Sequence, residues 1–220
     1  MGVDAMRDMR VLCDSPETPT ILDVGANVGQ TITRFRQQFA APVIHSFEPG
    51  PDTFRELQRR CAHLPDVHLN HLALGAESGK AELLENDQSD MSSLLEPAPD
   101  SWGQVEKRTE VPVSTVDDYC ERAGIEAVHI LKSDTQGFDL EVMRGAESMM
   151  ARGAIQMIYT EIILSDMYRE CPRLDEIFAH VADRGFSLVA FYQFHFQHQR
   201  ASWTDALFVN PDFPVSRRAG

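Results

Sequence analysis

Short apolar runs alternate along the chain with stretches in which apolar side chains recur at every third or fourth position. The first run, residues 21–24, leads into a stripe of helical spacing that comprises Val28, Ile32, Phe35 and Phe39. The later runs that predict strands are residues 43–47, 67–74, 128–134 and 155–163. Strands and helices that alternate at this spacing predict a parallel, doubly wound α/β sheet.

Two more predicted strands, residues 187–194 and 203–209, close the pattern. A polar, histidine-bearing turn joins them. A hairpin after five βα units predicts a mostly parallel, Rossmann-like sheet with an antiparallel C-terminal hairpin at its edge.

An insertion at residues 76–113 interrupts the alternation. Residues 80–84 and 105–113 predict short antiparallel strands, and between them lies a polar segment with serines and prolines, residues 87–103. Insertions of this length are commonly functional flaps, and a disordered surface loop is the alternative for the middle of the segment. The candidates for lining a substrate pocket are Met91, Leu94 and Trp102.

The length of 220 residues suits one large domain and is short for two. We interpret residues 20–220 as that single domain. Residues 1–19 carry no clear periodicity and include Pro16 and Pro19. They predict a partly helical lead-in that serves as a lid or as the contact of a homodimer.

The composition is that of an ordinary globular protein, with 43% hydrophobic and 25% charged residues. No apolar run has the length of a membrane span, and no basic-then-apolar signal sequence opens the chain. We therefore expect a cytoplasmic protein without a membrane partner. The four cysteines are scattered, with no C-x-x-C pair, which favours reduced thiols over a zinc site or a disulfide framework.

The formal net charge of −14 bears on the choice of partner. Enzymes of nucleic acids usually present a basic face to the phosphates. Here the basic residues are dispersed, and the largest clusters are the pairs Arg59-Arg60 and Arg217-Arg218. The charge argues against nucleic acid and favours a neutral or cationic small molecule.

Two glycines spaced G-x-x-x-G follow the first strand directly, after Asp23. Gly25 allows a turn that is closed to residues with a Cβ, and Gly29 allows a ligand or the neighbouring strand to approach. Glu48, at the end of the second strand, can accept both hydroxyls of a ribose. The spacing differs from the G-x-G-x-x-G of pyrophosphate-binding loops, so S-adenosylmethionine fits better than a nicotinamide dinucleotide, and a dehydrogenase is the alternative.

Carboxylates stand at most of the predicted strand ends, which is costly without a function. The predicted end residues are Asp23, Glu48, Leu74, Asp134 and Glu161. A sulfonium cofactor would account for several of them. Asp134 and Glu161 end adjacent strands and can share Mg²⁺ through oxygen ligands. The alternative for Asp134 is that it caps the next helix or orients the cofactor through water.

Methyl transfer to an alcohol requires a base or a metal near the acceptor oxygen. The candidates are Glu161, His195 and Asp134, with Tyr159 and Tyr168 as orienting hydroxyls. His195 follows the sixth strand of the pattern, on the expected pocket side, and a packed, hydrogen-bonded histidine is the alternative. Lys132 lies inside a strand that should be buried, which predicts a structural salt bridge.

Several motifs together resemble the FkbM-type methyltransferases over about residues 20–210. They are DVGANVGQ at 23–30, FEP at 47–49, ALG at 73–75, LKSDTQGFD at 131–139, VMRGA at 142–146 and TEI at 160–162. The family commonly has an apolar residue where this chain has Ser133. The resemblance implies a class I methyltransferase fold that uses S-adenosylmethionine to methylate a hydroxyl of a secondary-metabolite acceptor.

The same resemblance assigns roles to individual positions. The cofactor loop would comprise Asp23, Gly25, Ala26, Asn27, Gly29 and Gln30. Glu48, followed by Pro49, would hold the ribose, and residues around Leu74 would flank the adenine. Asp134 would lie near the methionine moiety or a metal.

We predict an O-methyltransferase of a small hydroxylated acceptor, with a saccharide or glycoside preferred. Few basic residues and several aromatics suit stacking on a neutral sugar better than binding a phosphate. A polyketide or other natural product is the alternative acceptor. A non-catalytic cofactor-binding module is the alternative class of protein.

Overall fold

A seven-stranded, mostly parallel sheet organises the computed structural model, which describes residues 1–213. Its strands are β1 (Thr20–Val24), β2 (Val43–Phe47), β3 (Val67–Asn70), β7 (Val128–Ser133), β8 (Ile155–Ile163), β9 (Ser187–Gln197) and β10 (Arg200–Val209). A second sheet has three strands, β4 (Ala73–Leu74), β5 (Gly79–Asn86) and β6 (Val105–Ser114). The helices are α1 (Ala5–Leu12), α2 (Gln30–Gln38), α3 (Pro51–Cys61), α4 (Val116–Ala123), α5 (Asp139–Arg144), α6 (Glu147–Ala151) and α7 (Leu174–Ala182).

The strand order is β3-β2-β1-β7-β8-β10-β9, and only β10 runs against its neighbours. The mostly parallel sheet with a C-terminal hairpin at its edge is confirmed. The antiparallel strand is not the outermost one, however, because the crossover through α7 carries β9 one position beyond β8. The turn at His198 and Gln199, both with positive φ, then reverses the chain, and β10 lies between β8 and β9. Pairing continues to Gln197 and Arg200, so both strands are longer than predicted.

Helices cover both faces of the large sheet. On one face, α4, α5, α6 and α7 bury side chains such as Val116, Val142 and Val181. On the other face, α2 and α3 pack through Ile32, Phe35 and Leu57. Helix α1 of the predicted lead-in belongs to this second core, since Met9 is fully buried in it. The lead-in is thus packed against the same sheet as the rest of the chain.

Residues 67–74 form two strands where the apolar pattern predicted one. The main-chain pairing of β3 ends at Asn70, whose side-chain amide donates to the carbonyl of Ser46 and to the hydroxyl of Tyr119. The chain then leaves the large sheet, and β4 pairs with β6 instead. An apolar run alone cannot indicate this change of partner, because Val67 and Leu69 are partly buried on the large sheet while Ala73 and Leu74 are buried on the small one.

The predicted insertion contains the antiparallel pair β5 and β6, which confirms those two strands. Between them, a 3-10 turn at Ser89–Met91 is followed by a segment bonded to the loop after β8. Three backbone hydrogen bonds make this connection: Ala98 to Met167 (2.9 Å), Asp100 to Asp166 (3.1 Å) and Arg169 to Glu96 (2.8 Å). We call residues 87–103 the flap.

Among residues 1–213, no helix is both long enough and apolar enough to cross a bilayer.

Candidate active site

A cavity of about 290 Å³ opens at the carboxyl ends of the parallel strands, where ligands of such sheets bind. Its floor comes from the ends of β1, β2, β7 and β8, and the flap covers it. One half is lined by Gly25, Asn27, Phe47, Glu48, Pro49, Leu72 and Leu74. The other half is lined by Asp134, Gln136, Glu161, Met167 and Trp203, with Met91, Leu94 and Trp102 from the flap.

The loop after β1 is fixed by backbone contacts to two neighbouring strands. The amides of Gly25 and Ala26 both donate to the carbonyl of Phe47, at 3.1 and 3.0 Å. Gly25 has a φ of +73°, and a Cβ at this position would collide with the main-chain carbonyl of Asp134. Only glycine meets both requirements, so the turn holds the loop backbone directly against the end of β7.

The second glycine of the motif serves helix packing. Gly29 begins α2 with a φ of +94°, and a Cβ there would lie 2.6 Å from Sγ of Cys61 and 3.1 Å from Cδ1 of Leu57. Its neighbour is therefore helix α3, and neither a ligand nor a strand. The glycine lets α2 and α3 pack closely, and these helices follow β1 and β2, two of the strands whose ends form the floor of the cavity.

Lys132 forms the predicted salt bridge in the sheet below the loop. Its Nζ lies 3.2 Å from Oδ1 of Asp23 and donates to the carbonyls of Val24 (3.1 Å) and Gly25 (2.8 Å). Burial alone would lower the pKa of Lys132, but Asp23 and then Asp134 outweigh burial and raise it. Asp23 is fully buried and neutralises the lysine, so it supports the loop from below and does not line the cavity.

The Glu48 carboxylate is held in place by two backbone amides. Oε2 accepts from the amide of Asn27 at 3.0 Å, and Oε1 accepts from the amide of Gly50 at 2.8 Å. Asn27 has a φ of +46°, which asparagine tolerates better than most residues. Each carboxylate oxygen keeps acceptor capacity, so the group can receive two ribose hydroxyls from the cavity side.

The ionisation of Glu48 makes cofactor affinity depend on pH. Burial raises the pKa of Glu48 to about 7, although the amides of Gly50 and Asn27 oppose that shift. Hydroxyl donors prefer the ionised form, which is lost as the pH falls through about 7. We therefore expect the Kd for S-adenosylhomocysteine to rise about tenfold between roughly pH 8 and pH 6 in calorimetric titrations.

The control for this pH effect is Glu48→Gln, which removes the titrating group but keeps an acceptor oxygen. Its affinity should be lower and flat over the same range. A wild-type affinity that does not change between these pH values would contradict the ribose assignment of Glu48.

Asp134 and Glu161 are brought together as predicted, but an amide lies between them. Nε2 of Gln136 donates to Oδ1 of Asp134 at 3.3 Å and to Oε2 of Glu161 at 3.0 Å. In the described part of the chain, no cluster of three or more His, Cys, Asp or Glu side chains has the geometry of a metal site. A donor group where a cation would need oxygen ligands does not fit Mg²⁺.

The alternative prediction that Asp134 caps the next helix is wrong, because the N-cap of α5 is Phe138 and no side chain caps it. Oδ1 of Asp139 accepts from the amide of Thr135 at 3.2 Å and from the hydroxyl of Ser133 at 2.5 Å. This bond gives Ser133 a role where the family commonly has an apolar residue. Asp139 therefore organises the turn, and the Asp134 carboxylate is left to the cavity.

Glu161 and Asp134 are the two candidate bases that line the cavity, and Glu161 is the more deeply buried of them. Burial, and next the charge of Asp134, raise the pKa of Glu161 well above its usual value. A carboxylate with a raised pKa is a better proton acceptor than an exposed one. Tyr159 and Tyr168 do not line the cavity; their hydroxyls donate to Asp205 (2.6 Å) and to Gln136 (2.9 Å).

His195 lies within β9 and not after it, because that strand is longer than predicted. Its ring stacks on Trp203, with 4.5 Å between ring centroids. Trp203 lines the cavity, whereas His195 does not. The structure thus brings Glu161 and Asp134 to the cavity, whereas the indole ring of Trp203 lies between His195 and the cavity. A catalytic role of His195 stays a prediction.

Six of the ten predicted cofactor residues line the cavity, namely Gly25, Asn27, Glu48, Pro49, Leu74 and Asp134. Asp23, Ala26 and Gly29 are buried beneath or beside the loop and support it. Gln30 is exposed at the start of α2 and does not line the cavity. Sequence reasoning missed Gln136 and Met167 as lining residues. Gln136 had a detectable signal, since it precedes a glycine directly after a strand, but Met167 lies in a loop without a recognisable pattern.

The sheet order and the loop geometry together define a class I methyltransferase. Fibrillarin from Aeropyrum pernix, solved with natively bound S-adenosyl-L-methionine, matches with a TM-score of 0.53 and 14% identity, covering 93% of this chain and 73% of that one. Magnesium protoporphyrin IX methyltransferase from Synechocystis PCC 6803 matches with a TM-score of 0.52 and 11% identity, covering 94% and 77%. Identities this low show the fold alone.

The sequence assigns the family within that class. The methyltransferase FkbM domain matches residues 23–188, and the chain belongs to this family of S-adenosylmethionine-dependent methyltransferases. The 2-O-methyltransferase NoeI of Sinorhizobium fredii (strain NBRC 101917 / NGR234) is 25% identical over 173 residues, which are 74% of this chain and 70% of that protein. Methyltransferase 1 of Beauveria bassiana (strain ARSEF 2860) is 25% identical over 150 residues, 60% of each chain.

Proposed function

We propose that this methyltransferase transfers a methyl group to a hydroxyl oxygen of a small, neutral acceptor, with a saccharide or glycoside preferred. One observation carries the proposal: a single cavity contains Glu48 at the end of β2 and Glu161 at the end of β8. The first carboxylate suits a ribose, and the second suits the removal of an acceptor proton. The similarity to a 2-O-methyltransferase supports oxygen as the methylated atom.

The half of the cavity around Glu48 matches a nucleoside. Apolar side chains of Phe47, Leu72 and Leu74 line it and offer an adenine ring a surface that excludes water. The loop at Gly25 keeps its backbone close to the ligand without a side chain in the way. S-adenosylmethionine, when bound, supplies an electrophilic methyl group.

The half around Glu161 suits a neutral acceptor. The charged lining residues found in the described chain are all acidic, namely Glu48, Asp90, Asp134 and Glu161. A phosphate or carboxylate would be repelled there. Trp102 and Trp203 meet edge to face, with 5.3 Å between ring centroids, and both line the cavity. Indole rings offer apolar area to the C–H face of a sugar, as well as an N–H donor.

The acceptor assignment is tested with Trp203. We expect Trp203→Ala to raise the KM for a neutral methyl glycoside about tenfold, since lost aromatic stacking costs of the order of 1 kcal/mol beyond the lost area. Trp203→Phe should recover most of the loss. The measurement is transfer of labelled methyl groups from S-adenosylmethionine to a panel of neutral methyl glycosides and their phosphorylated counterparts.

The matched control is Phe196→Ala, which removes an aromatic ring that is 68% exposed on β9 and does not line the cavity. Its KM should equal that of the wild type. Transfer to phosphorylated but not to neutral glycosides would reject the neutral acceptor. Cytoplasmic location and a homodimer through the lead-in stay predictions.

A further inference from the structure

The side-chain amide of Gln136 contacts both carboxylates at the floor of the cavity. Nε2 lies 3.0 Å from Oε2 of Glu161 and 3.3 Å from Oδ1 of Asp134. On the other side of the same amide, Oε1 accepts from the Tyr168 hydroxyl at 2.9 Å. An ionised carboxylate only accepts hydrogen bonds, so the nitrogen must face Glu161 and the oxygen must face Tyr168. The carboxylates thus fix the orientation of the amide, and the shorter contact of the Tyr168 hydroxyl is a hydrogen bond donated to the amide oxygen.

The flap reaches the same residue through two further contacts. The Tyr168 hydroxyl oxygen lies 3.1 Å from the carbonyl of Met91, and the Ser93 hydroxyl donates to the backbone carbonyl of Gln136 at 2.7 Å. Tyr168 is buried, and burial raises its pKa, so it remains a neutral donor. The flap therefore contacts the tyrosine at Met91 and holds the backbone of Gln136 through Ser93.

The backbone of Gln136 has an unfavourable conformation for its residue type. Its φ is +54°, in the left-handed region that glycine and asparagine adopt more easily. Such a conformation lowers the equilibrium constant for forming the local structure by about tenfold or more. It persists only where surrounding contacts hold the backbone in place. At this turn, the Gln136 side chain makes hydrogen bonds to Asp134, Glu161 and Tyr168.

We propose that Gln136 is a positioning residue for proton removal: its amide directs an oxygen of Glu161 within the cavity and stabilises the ionised carboxylate, while Tyr168 donates to the amide oxygen. This inference rests on the proposed function, in which Glu161 takes the proton of the acceptor hydroxyl. Gln136 itself has no proton to exchange and acts only through Glu161.

The Gln136 amide stabilises the ionised form of Glu161 in a part of the cavity where most neighbouring titratable groups are carboxylates. The titratable groups around Glu161 are Lys132 from β7, Asp134 directly after that strand, Asp139 from α5, Asp205 from β10, and Tyr168 and Cys171 from the loop after β8. Burial and the neighbouring carboxylates favour the protonated form of Glu161, and Lys132 opposes them. A hydrogen bond donated to the carboxylate also opposes them, because it stabilises the charged form.

The test is a ¹³C NMR titration of the Glu161 carboxyl group in the complex with S-adenosylhomocysteine. Glu161→Gln assigns the resonance. In Gln136→Asn the amide is one methylene too short to reach Glu161, while asparagine keeps the left-handed backbone. We expect the pKa of Glu161 to rise by about one pH unit or more in this variant, the effect of losing a hydrogen bond to a charged group.

The matched control is Gln156→Asn, the same chemical change on β8, at a buried glutamine whose amide donates to the carbonyl of Leu12 instead. Its Glu161 titration should match that of the wild type. If Gln136→Asn fails to fold, Gln136→Gly accepts the backbone angle, and the same shift is expected. An unchanged titration in the folded variant overturns the positioning role, and it leaves the proposed function intact, because that depends on the activity of Glu161 variants.

Discussion

Glu161→Gln is expected to lower kcat by about 10²–10⁴-fold, the range for the loss of a general base, while the affinity for S-adenosylhomocysteine stays nearly unchanged. The reason is position: Glu161 lines the half of the cavity away from Glu48, and its pKa is raised by burial and by Asp134. A glutamine is isosteric and keeps a donor and an acceptor, but it cannot take a proton. Initial rates with labelled S-adenosylmethionine measure the effect.

The competing assignment of His195 predicts the opposite pattern. His195→Ala would then lose most of the rate, and Glu161→Gln would retain it. His195 stacks on Trp203 and does not line the cavity, so we expect its replacement to change KM through the tryptophan more than kcat. A wild-type kcat in Glu161→Gln would exclude that residue as the base.

Gly25→Ala is expected to destabilise the protein by about 3 kcal/mol or more and to weaken S-adenosylhomocysteine binding at least about 100-fold. Two effects add at this position. The φ of +73° is unfavourable for alanine, and the new methyl group would meet the main chain of Asp134, with its carbonyl carbon at 2.9 Å. The loop and the end of β7 would have to separate, which displaces both sides of the cofactor site.

Gly124→Ala separates these two effects. Gly124 has a similar φ of +67° at the end of α4, but no heavy atom lies within 4 Å of a Cβ built there. Gly124→Ala should lower the free energy of unfolding by only about 1 kcal/mol, because it has the unfavourable φ without the steric contact. Chemical denaturation of both variants measures the difference. Equal destabilisation of the two would show that the contact between Gly25 and β7 contributes nothing.

The large sheet could be predicted because its strands have clear boundaries. The runs at residues 43–47 and 155–163 coincide with β2 and β8. The glycine turn after β1 indicates a ligand site. The position of β10 between β8 and β9 could not be predicted from residues 187–209 alone. Both orders bury the same apolar side chains, and only the crossover through α7 decides between them.

The site was predictable where chemistry is local in the chain. Glu48 stands at a strand end two residues before Gly50, whose amide donates to its carboxylate. The second amide on that carboxylate comes from Asn27, in the loop that the glycine motif itself indicates. The roles of Gly29 and Gln136 depend on contacts between distant segments. Gly29 meets α3, which begins more than 20 residues later, and Gln136 meets a tyrosine beyond the next strand. The spacing of apolar residues along the chain gives no information about such contacts.

The measurement that tests the account most directly is calorimetric titration of S-adenosylmethionine into the wild-type protein and into Glu48→Ala. We expect saturable binding with one site per chain, weakened in the variant by about 1.5–3 kcal/mol, the range for a hydrogen bond to a charged group. Absence of heat with the wild-type protein, or equal affinity in both proteins, would contradict a cofactor site at the ends of β1 and β2.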